Sequence, residues 1–556
     1  MNNSEYIFKF LSKMGCDKVF SIVGGHAMHL NAAQHKIFST DVIYLHNEQA
    51  LSMAAESYSR ITKKPSIVSV TSGPAALNCL NGVLGAFIDN IPLIVISGQP
   101  RNSLCANSIN NDLRQFGDQE FSKISNVVKP IVKFAKKLTL NDDIEFEIKN
   151  AYKISINGRP GPVWIDIPID VQKEKFVKKN SKIYINKISD LLVNPEVLDS
   201  QIDLVLEKIS KSKRPIIYAG TDIIASGSKK EFLNLIEKLN IPVVTEWNAY
   251  ELIDEELNLF VGRPGLRGDR IGNIISFKCD LILSIGSNLS IRQVGDDKNK
   301  FSPESFKIMV SVDKNEIFKP NLSIDFPIFS NIKFFINKLK SKILKKKNNN
   351  FINWINWCHE KKKEIQKFDK YLDGVNINPY NAIDLIFKEL PENKITIIGN
   401  GISVVGAFQK ALIKKDDIIF QNVGCASMGY DIPATVGACF SQDKKKPKKI
   451  FCLTGDGSFQ FNFQELQTIN KFKFNVTIFV INNGGYSSMK QSQNKFTNSI
   501  GMHGVDEKTG VSFPNLKKIS KVYEFNYFRT SNFNNLRNTI RKLNYKKRNL
   551  IEIFVE

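Results

Sequence analysis

The stretch that decides the fold runs Lys449-Ile450-Phe451-Cys452-Leu453-Thr454-Gly455-Asp456-Gly457-Ser458 and resumes at Val476-Thr477-Ile478-Phe479-Val480-Ile481-Asn482-Asn483. Two short apolar runs each end in small or polar residues, and a helical pattern at 464–471 lies between them. Apolar run, glycine turn, helix, apolar run reads as a parallel βαβ unit with both sheet faces covered. Asp456 and Asn483 then stand at the C-terminal ends of neighbouring strands, the edge where open α/β sheets bind ligands. A carboxylate and an amide carbonyl are hard oxygen ligands, suited to Mg2+, which also takes phosphate oxygens. Gly457 lets the backbone approach a phosphate closely, and the N–H groups at the following helix start would hold that anion.

The same grammar repeats toward the N-terminus. Apolar runs at 18–23, 42–45, 66–71 and 92–97 end at Gly24-Gly25, Asn47-Glu48, Ser72-Gly73-Pro74 and Gly98, with helical patterns at 4–15, 50–60 and 75–87. A second series places runs at 215–219, 242–245, 281–285 and 308–312, the first, third and fourth of them before Gly220, Gly286 and Asp313. A third begins near 378, with a run at 395–398 before Gly399. The expected fold class is α/β: three consecutive doubly wound domains with mainly parallel sheets. The expected divisions are 1–172, a polar linker 173–195, a central domain 196–340, a charged, Asn-rich linker and helix 341–377, and a C-terminal domain 378–556. A chain of 556 residues suits three domains.

Composition narrows the class. With 42% apolar and 24% charged residues the chain is globular rather than disordered. The net charge of +22 invites a nucleic-acid reading. Its lysines are spread over the whole chain, with short runs at Lys345-Lys346-Lys347, Lys361-Lys362-Lys363 and Lys444-Lys445-Lys446, whereas a nucleic-acid footprint is a clustered face. A solvated lysine-rich surface is expected, with no nucleic-acid partner. Eight Cys without a CxxC pair read as reduced thiols. The N-terminus, MNNSEYIFKFLSKMGC, has Glu5 and no long apolar run, so neither a signal peptide nor a membrane span is expected, and the expected location is cytoplasmic.

Gly455-Asp456-Gly457 followed by Asn482-Asn483 resembles the diphosphate–metal motif of thiamine-diphosphate enzymes. The resemblance implies that Asp456 and Asn483 ligate Mg2+ by side chain and Gly485 by its carbonyl, with Ser458 against the diphosphate and Tyr486 beside it. Leu45-His46-Asn47-Glu48-Gln49-Ala50 resembles the family's segment for an activating glutamate. A carboxyl hydrogen-bonded to the cofactor's pyrimidine ring drives the tautomer shift that lets the thiazolium lose its proton; Glu48 holds that position. Gly424-Cys425-Ala426-Ser427-Met428-Gly429-Tyr430 resembles the segment whose apolar side chain wedges between the two cofactor rings. Met428, a flexible thioether, would be the wedge.

The resemblance covers nearly the whole chain and is closest to the acetolactate-synthase-like branch. Thr71-Ser72-Gly73-Pro74, Gly158-Arg159-Pro160-Gly161-Pro162-Val163-Trp164 and Gln464-Glu465-Leu466-Gln467-Thr468 fit it as well. Gln119 sits where that branch has a glutamine facing the reaction site. The branch implies active sites between subunits of a homodimer or tetramer, a possible small regulatory subunit, and decarboxylation of a 2-oxo acid such as pyruvate with carboligation to an acceptor carbonyl. It also implies a possible FAD in the central domain. Gly262-Arg263-Pro264-Gly265-Leu266-Arg267-Gly268 and Gly286-Ser287-Asn288-Leu289-Ser290-Ile291-Arg292 would face it, Arg292 meeting its diphosphate. Asp313 would be a ribose or flavin contact, or a turn residue.

Two features depart from the branch. The stretch Gly485-Tyr486-Ser487-Ser488-Met489-Lys490-Gln491-Ser492-Gln493 has no Trp, which in the branch narrows the acceptor pocket. The first glycine turn reads Gly24-Gly25-His26-Ala27-Met28-His29. His26 is a candidate acid–base group, because imidazole titrates near working pH; His29 is expected to be structural. These departures resemble relatives from surface-polysaccharide gene sets, for which the acceptor would be a nucleotide-activated keto-sugar. A pyruvate oxidase or decarboxylase is a further alternative.

Overall fold

The computed structural model describes residues 1–179, 195–343, 351–367, 377–443, 445–496 and 501–556. Eighteen strands form three sheets, and every ladder within them is parallel. The first holds β1 (Val19–Ser21), β2 (Val42–Tyr44), β3 (Ser66–Val70), β4 (Leu93–Gln99), β5 (Phe134–Lys137) and β6 (Val163–Pro168), in the order β2-β1-β3-β4-β6-β5. The second holds β7 (Pro215–Ala219), β8 (Val243–Thr245), β9 (Phe260–Gly262), β10 (Leu281–Ile285), β11 (Phe306–Ser311) and β12 (Phe326–Phe329), in the order β12-β11-β10-β7-β8-β9. The third holds β13 (Lys394–Ile398), β14 (Ile418–Phe420), β15 (Lys449–Gly455), β16 (Val476–Asn482), β17 (Asn526–Thr530) and β18 (Asn549–Phe554), in the order β14-β13-β15-β16-β18-β17. The α/β class with three doubly wound units holds.

Central strands are buried along their whole length because helices cover both faces. β4 and β10 show it, every residue being buried. The first and third units share one continuous core, running from Phe20 and Ile43 to Ile478 and Leu550. The joint is a pair of helices rich in small residues, Glu48–Thr62 and Asp431–Phe440. Gly437 allows the contact: a Cβ there would lie 2.1 Å from the carbonyl oxygen of Ala54. Arg60 is buried in this joint between Glu56 and Asp89, and Tyr430 donates its hydroxyl to Glu56. Asp89 also accepts from Gly424 N–H at 3.2 Å and from Asn248 Nδ2 at 3.2 Å, so one carboxylate touches all three units.

Some elements differ in extent from the sequence reading. The helix expected from residue 50 starts at Glu48, capped by Asn47, whose side chain accepts from Ala50 N–H at 2.7 Å. The pattern at 75–87 is two helices, Pro74–Asn78 and Leu80–Ile88. The crossover between β15 and β16 begins at Asp456 itself, as helix Asp456–Asn462, a 3-10 turn Phe463–Glu465 and helix Leu466–Lys471. Most of the expected linker 173–195 lies outside the described residues, as do Lys345-Lys346-Lys347, Lys444 and parts of 341–377. Within the latter, helix Ile352–Gln366 packs on the central unit, with Trp354 Nε1 donating to Pro215 O at 3.1 Å. All eight cysteines are free thiols, seven of them buried. No helix among the described residues is long and apolar enough to cross a membrane.

Candidate active site

β15 and β16 pair directly, with Gly455 opposite Ile481. This places Asp456 and Asn483 at one sheet edge, as their spacing implied. Asp456 is 6% exposed. Its Oδ2 accepts from Gly485 N–H at 2.9 Å and its Oδ1 from Gly457 N–H at 2.9 Å. Burial pushes its pKa up to about 6, against the pull of those backbone donors. Asn483 Oδ1 is buried with no hydrogen-bond partner, while its Nδ2 donates to Ser487 Oγ at 3.0 Å. A desolvated carboxylate beside an orphaned amide oxygen is the donor set a hard cation satisfies. Gly485 sits at φ +139°, where a Cβ would meet Val505 O at 2.1 Å, so only glycine presents its carbonyl there. The residues present fit Mg2+.

These groups line a cavity of about 680 Å³. Gly457 forms part of its floor: a Cβ there would lie 2.4 Å from the Tyr486 ring and 3.4 Å from Met428 Cε. The bare backbone therefore lies against both side chains named from the sequence. Ser458, also in the wall, donates to Asp431 Oδ2 at 2.7 Å and accepts from Gly429 N–H at 2.9 Å, which ties the metal turn to the Met428 loop. That loop holds Ala426 at φ +57°, a left-handed conformation uncommon for a residue with a Cβ. It is pinned by Asn400, whose Nδ2 donates to Ser427 O at 2.6 Å and Asn422 Oδ1 at 3.2 Å. Sequence reading did not single out Asn400, Gly401, Trp247 or Arg267, which complete the wall with Arg292.

The first unit builds a second cluster. Glu48 is half-buried, and its Oε2 accepts from Asn78 Nδ2 at 3.0 Å. Gly24 packs so closely on Thr71 that a Cβ would lie 2.4 Å from its methyl. Next to exposed Gly25, His26 donates its backbone N–H to Thr71 Oγ1 at 3.2 Å. Its Nδ1 lies 2.7 Å from Ser72 Oγ, and Ser72 in turn donates to Gln119 O at 2.8 Å. Since Ser72 spends its proton on Gln119, Nδ1 of His26 is the donor and Nε2 the free acceptor. Burial lowers the His26 pKa, with Asp118 opposing. Gln119 itself sits at φ +53°, exposed. The structure thus joins His26 and Gln119, named separately from sequence, through a serine that spacing could not identify. His29 stands half-buried on helix Met28–Phe38.

The two clusters touch through a relay within the chain. His46 N–H donates to Glu465 Oε1 at 3.0 Å, and Asn462 contacts both Asn47 at 3.2 Å and Gln49 at 3.4 Å. Yet among the described residues, none before Trp247 lines the 680 Å³ cavity. Glu48, His26 and Gln119 therefore do not close on the Asp456 cavity of their own chain.

The flavin expectation fares differently. The two glycine-rich stretches named for it do meet, Leu266 N–H donating to Arg292 O at 2.7 Å, and Arg292 borders both the 680 Å³ cavity and the central cleft. Asp313 caps helix Lys314–Ile317 and pairs with Arg159 at 2.7 Å, a turn residue rather than a free ribose ligand. At the crevice itself Glu246 takes the donors that a diphosphate would need. The residues present do not fit FAD.

Comparisons with known proteins find matches in all three units. Residues 1–122 match the thiamine pyrophosphate enzyme N-terminal TPP binding domain, 202–339 the central domain, and 401–553 the C-terminal TPP binding domain. The acetolactate synthase large subunit of Buchnera aphidicola is 28% identical over 94% of this chain and 88% of its own length. The probable acetolactate synthase large subunit of Methanococcus aeolicus is 30% identical over 89% and 83%. That of Lactococcus lactis is 27% identical over 100% and 92%. With all three domain types matched in order, and a relative this similar over most of both lengths, the chain belongs to the thiamine pyrophosphate enzyme family.

Proposed function

We propose that this chain is a thiamine-diphosphate- and Mg2+-dependent carboligase of the acetolactate synthase type, which decarboxylates a 2-oxo acid, pyruvate first, and joins the remaining acyl unit to an acceptor carbonyl. The observation that carries the reading is the set of Asp456, Asn483 and Gly485 at the β15–β16 edge; the first unit adds Glu48, at the start of its helix, and the His26–Ser72–Gln119 chain. When bound, the cofactor supplies the acidic carbon that adds to a 2-oxo acid and stabilises the charge left by CO2. This chain's residues do the rest. Asp456 and Asn483 would hold the metal, Gly457 and Ser458 would border the diphosphate, and Met428 would pack against the cofactor's rings. Glu48 would hold a proton at the pyrimidine. His26 Nε2 would move a proton to or from the reacting oxygen, and Gln119 would orient the substrate.

Because Glu48, His26 and Gln119 do not line the Asp456 cavity of their own chain, two chains complete each other's sites in this proposal, in a homodimer or a tetramer. The relatives' designation as large subunits extends the proposal to a small regulatory partner, and the free thiols are consistent with a cytoplasmic location.

A second acceptor has a specific observation behind it. Arg267 and Arg292 reach the wall of the 680 Å³ cavity from the central unit, and both are exposed. Two guanidinium groups beside a pocket without the narrowing Trp suit an anionic acceptor larger than pyruvate, such as a nucleotide-activated keto-sugar. Incubation with pyruvate, thiamine diphosphate and Mg2+, with and without such acceptors, followed by mass analysis, separates the outcomes. 2-Acetolactate supports the first reading and an acetyl-branched sugar the second. Acetaldehyde or acetate alone, in every mixture, overturns both.

His26 gives a further prediction. His26→Ala should lower kcat/KM by about 10²-fold, the usual scale for losing a positioned acid–base group. A lowered pKa keeps the imidazole neutral to lower pH than its ordinary 6.5. The wild-type profile should therefore lose activity only below that value, and the alanine variant should lose this acid limb. An unchanged limb in His26→Ala would assign it to another group.

A further inference from the structure

The central sheet runs β9-β8-β7-β10-β11-β12, with β7 first in the chain. In spatial order this is 3-2-1-4-5-6, the doubly wound arrangement that binds dinucleotides where the order reverses, here between β7 and β10. The turn after β7 should then carry the phosphate fingerprint G-x-G-x-x-G/A. It reads Gly220-Thr221-Asp222-Ile223-Ile224-Ala225, with an aspartate where the second glycine lets the backbone reach a pyrophosphate.

The geometry shows what that change goes with. Asp222 N–H donates to Gly286 O at 3.0 Å, so the two turns flanking the reversal are joined. They are in close contact: a Cβ on Gly220 would lie 2.2 Å from Gly286 O. Glu246, the residue after β8, reaches over both turns. Its Oε1 accepts from Thr221 N–H at 2.7 Å and Thr221 Oγ1 at 3.1 Å, and its Oε2 accepts from Ser287 Oγ at 2.6 Å. Its own N–H donates to Ala219 O at 3.1 Å, which fixes the carboxylate in place. Glu246 is 2% exposed. Arg159, the cation on the first unit's side, is held by Asp313 at 2.7 Å and Glu316 at 2.9 Å. A cavity of about 460 Å³ remains outside, with Glu246 in its wall; of the cations that line it, Arg60 is paired with Glu56 and Asp89, Lys319 is paired with Glu316, and Arg292 is exposed.

We infer that the Glu246 carboxyl occupies the seat of the dinucleotide diphosphate, and that it, with Asp222 beside it, closes the central unit to FAD and to other dinucleotides. Thr221 and Ser287 spend their donors on Glu246, and a diphosphate would have to displace that buried carboxyl and lie against half-buried Asp222. The central unit then acts as a rigid spacer that presents Arg267 and Arg292 to the cavity of the third unit. The inference is independent of the acceptor and of the carboligase reading.

The test uses the full-length protein, made in cells supplied with riboflavin. Its absorption spectrum is recorded before and after addition of FAD and gel filtration, with thermal unfolding in parallel. The inference predicts no flavin band as isolated or after FAD treatment, and no rise in Tm with FAD. A yellow protein with about one FAD per chain, or a Tm that climbs with FAD, would overturn it. The double variant Asp222→Gly, Glu246→Ser restores the fingerprint glycine and removes the resident carboxyl. It should bind FAD at least about tenfold more tightly than the wild type in a fluorescence titration. Should the double variant not fold, Glu246→Gln, which keeps the side chain's shape, serves the same titration. Affinity as low as the wild type's in a folded variant would refute the exclusion. Pyruvate turnover is measured separately, so failure of the flavin result and failure of the carboligase reading are told apart.

Discussion

Glu48→Gln is expected to abolish pyruvate turnover, by about 10²–10⁴-fold, while leaving cofactor affinity and the fold nearly unchanged. That loss corresponds to roughly 3–5 kcal/mol of barrier. The expectation rests on what the carboxyl would do and what it does not do. Glu48 is the first residue of helix Glu48–Thr62, whose start is fixed by Asn47, not by Glu48. Its hydrogen bond from Asn78 Nδ2, at 3.0 Å, can be kept by a glutamine oxygen. The amide loses only the exchangeable proton and the charge. Retained turnover in this variant, with thiamine diphosphate still bound, would remove Glu48 from the mechanism.

The second large effect falls on the other half-site. Asp456→Ala should weaken Mg2+-dependent binding of thiamine diphosphate by about 10²-fold or more, roughly 3 kcal/mol, measured by titration at fixed Mg2+. The loss has two parts. One is a metal ligand; the other is the pair of bonds that Asp456 gives the turn, from Gly485 N–H and Gly457 N–H, both 2.9 Å. Without them Gly485, at φ +139°, loses the contact that aims its carbonyl. Chelating the metal from the wild type should reproduce the first part and not the second, so Asp456→Ala should be the weaker binder of the two. Equal affinity with and without Mg2+ in the wild type would contradict the metal assignment.

The fold was legible where strands are central. The runs ending at Gly220, Gly286, Gly399 and Gly455 are buried on both faces, so they read as unbroken apolar stretches. Elsewhere the reading was uneven: the edge strand β2 was read at 42–45, buried β18 was not, and other edge strands escaped. β5 is half-buried throughout and β17 is mostly exposed, so neither shows such a run. A strand at a sheet margin is held by its one neighbour's backbone, which leaves no mark in side-chain pattern.

The site divides along a similar line. Asp456, Asn483 and Gly485 lie close in sequence or at adjacent strand ends, and their chemistry showed in their order. What stayed hidden depends on residues brought together from afar. Ser72 bridges His26 to Gln119 across 46 and 47 positions. Glu465 holds the Glu48 turn across 419. Glu246 drew no reading from the sequence, and it joins the two turns of the central crevice through Thr221 and Ser287. No periodicity encodes such pairings, because they come from tertiary packing.

The central claim is that one active site needs Glu48 from one chain and Asp456 from another. Complementation tests it directly: co-express Glu48→Gln and Asp456→Ala chains with different tags, isolate the mixed dimer, and measure pyruvate decarboxylation. In a shared-site dimer one site carries both defects and the other carries none. The mixed dimer should recover about half of wild-type turnover, although each parent is inactive. A mixed dimer as inactive as its parents would place both residues in sites confined to one chain and contradict the account.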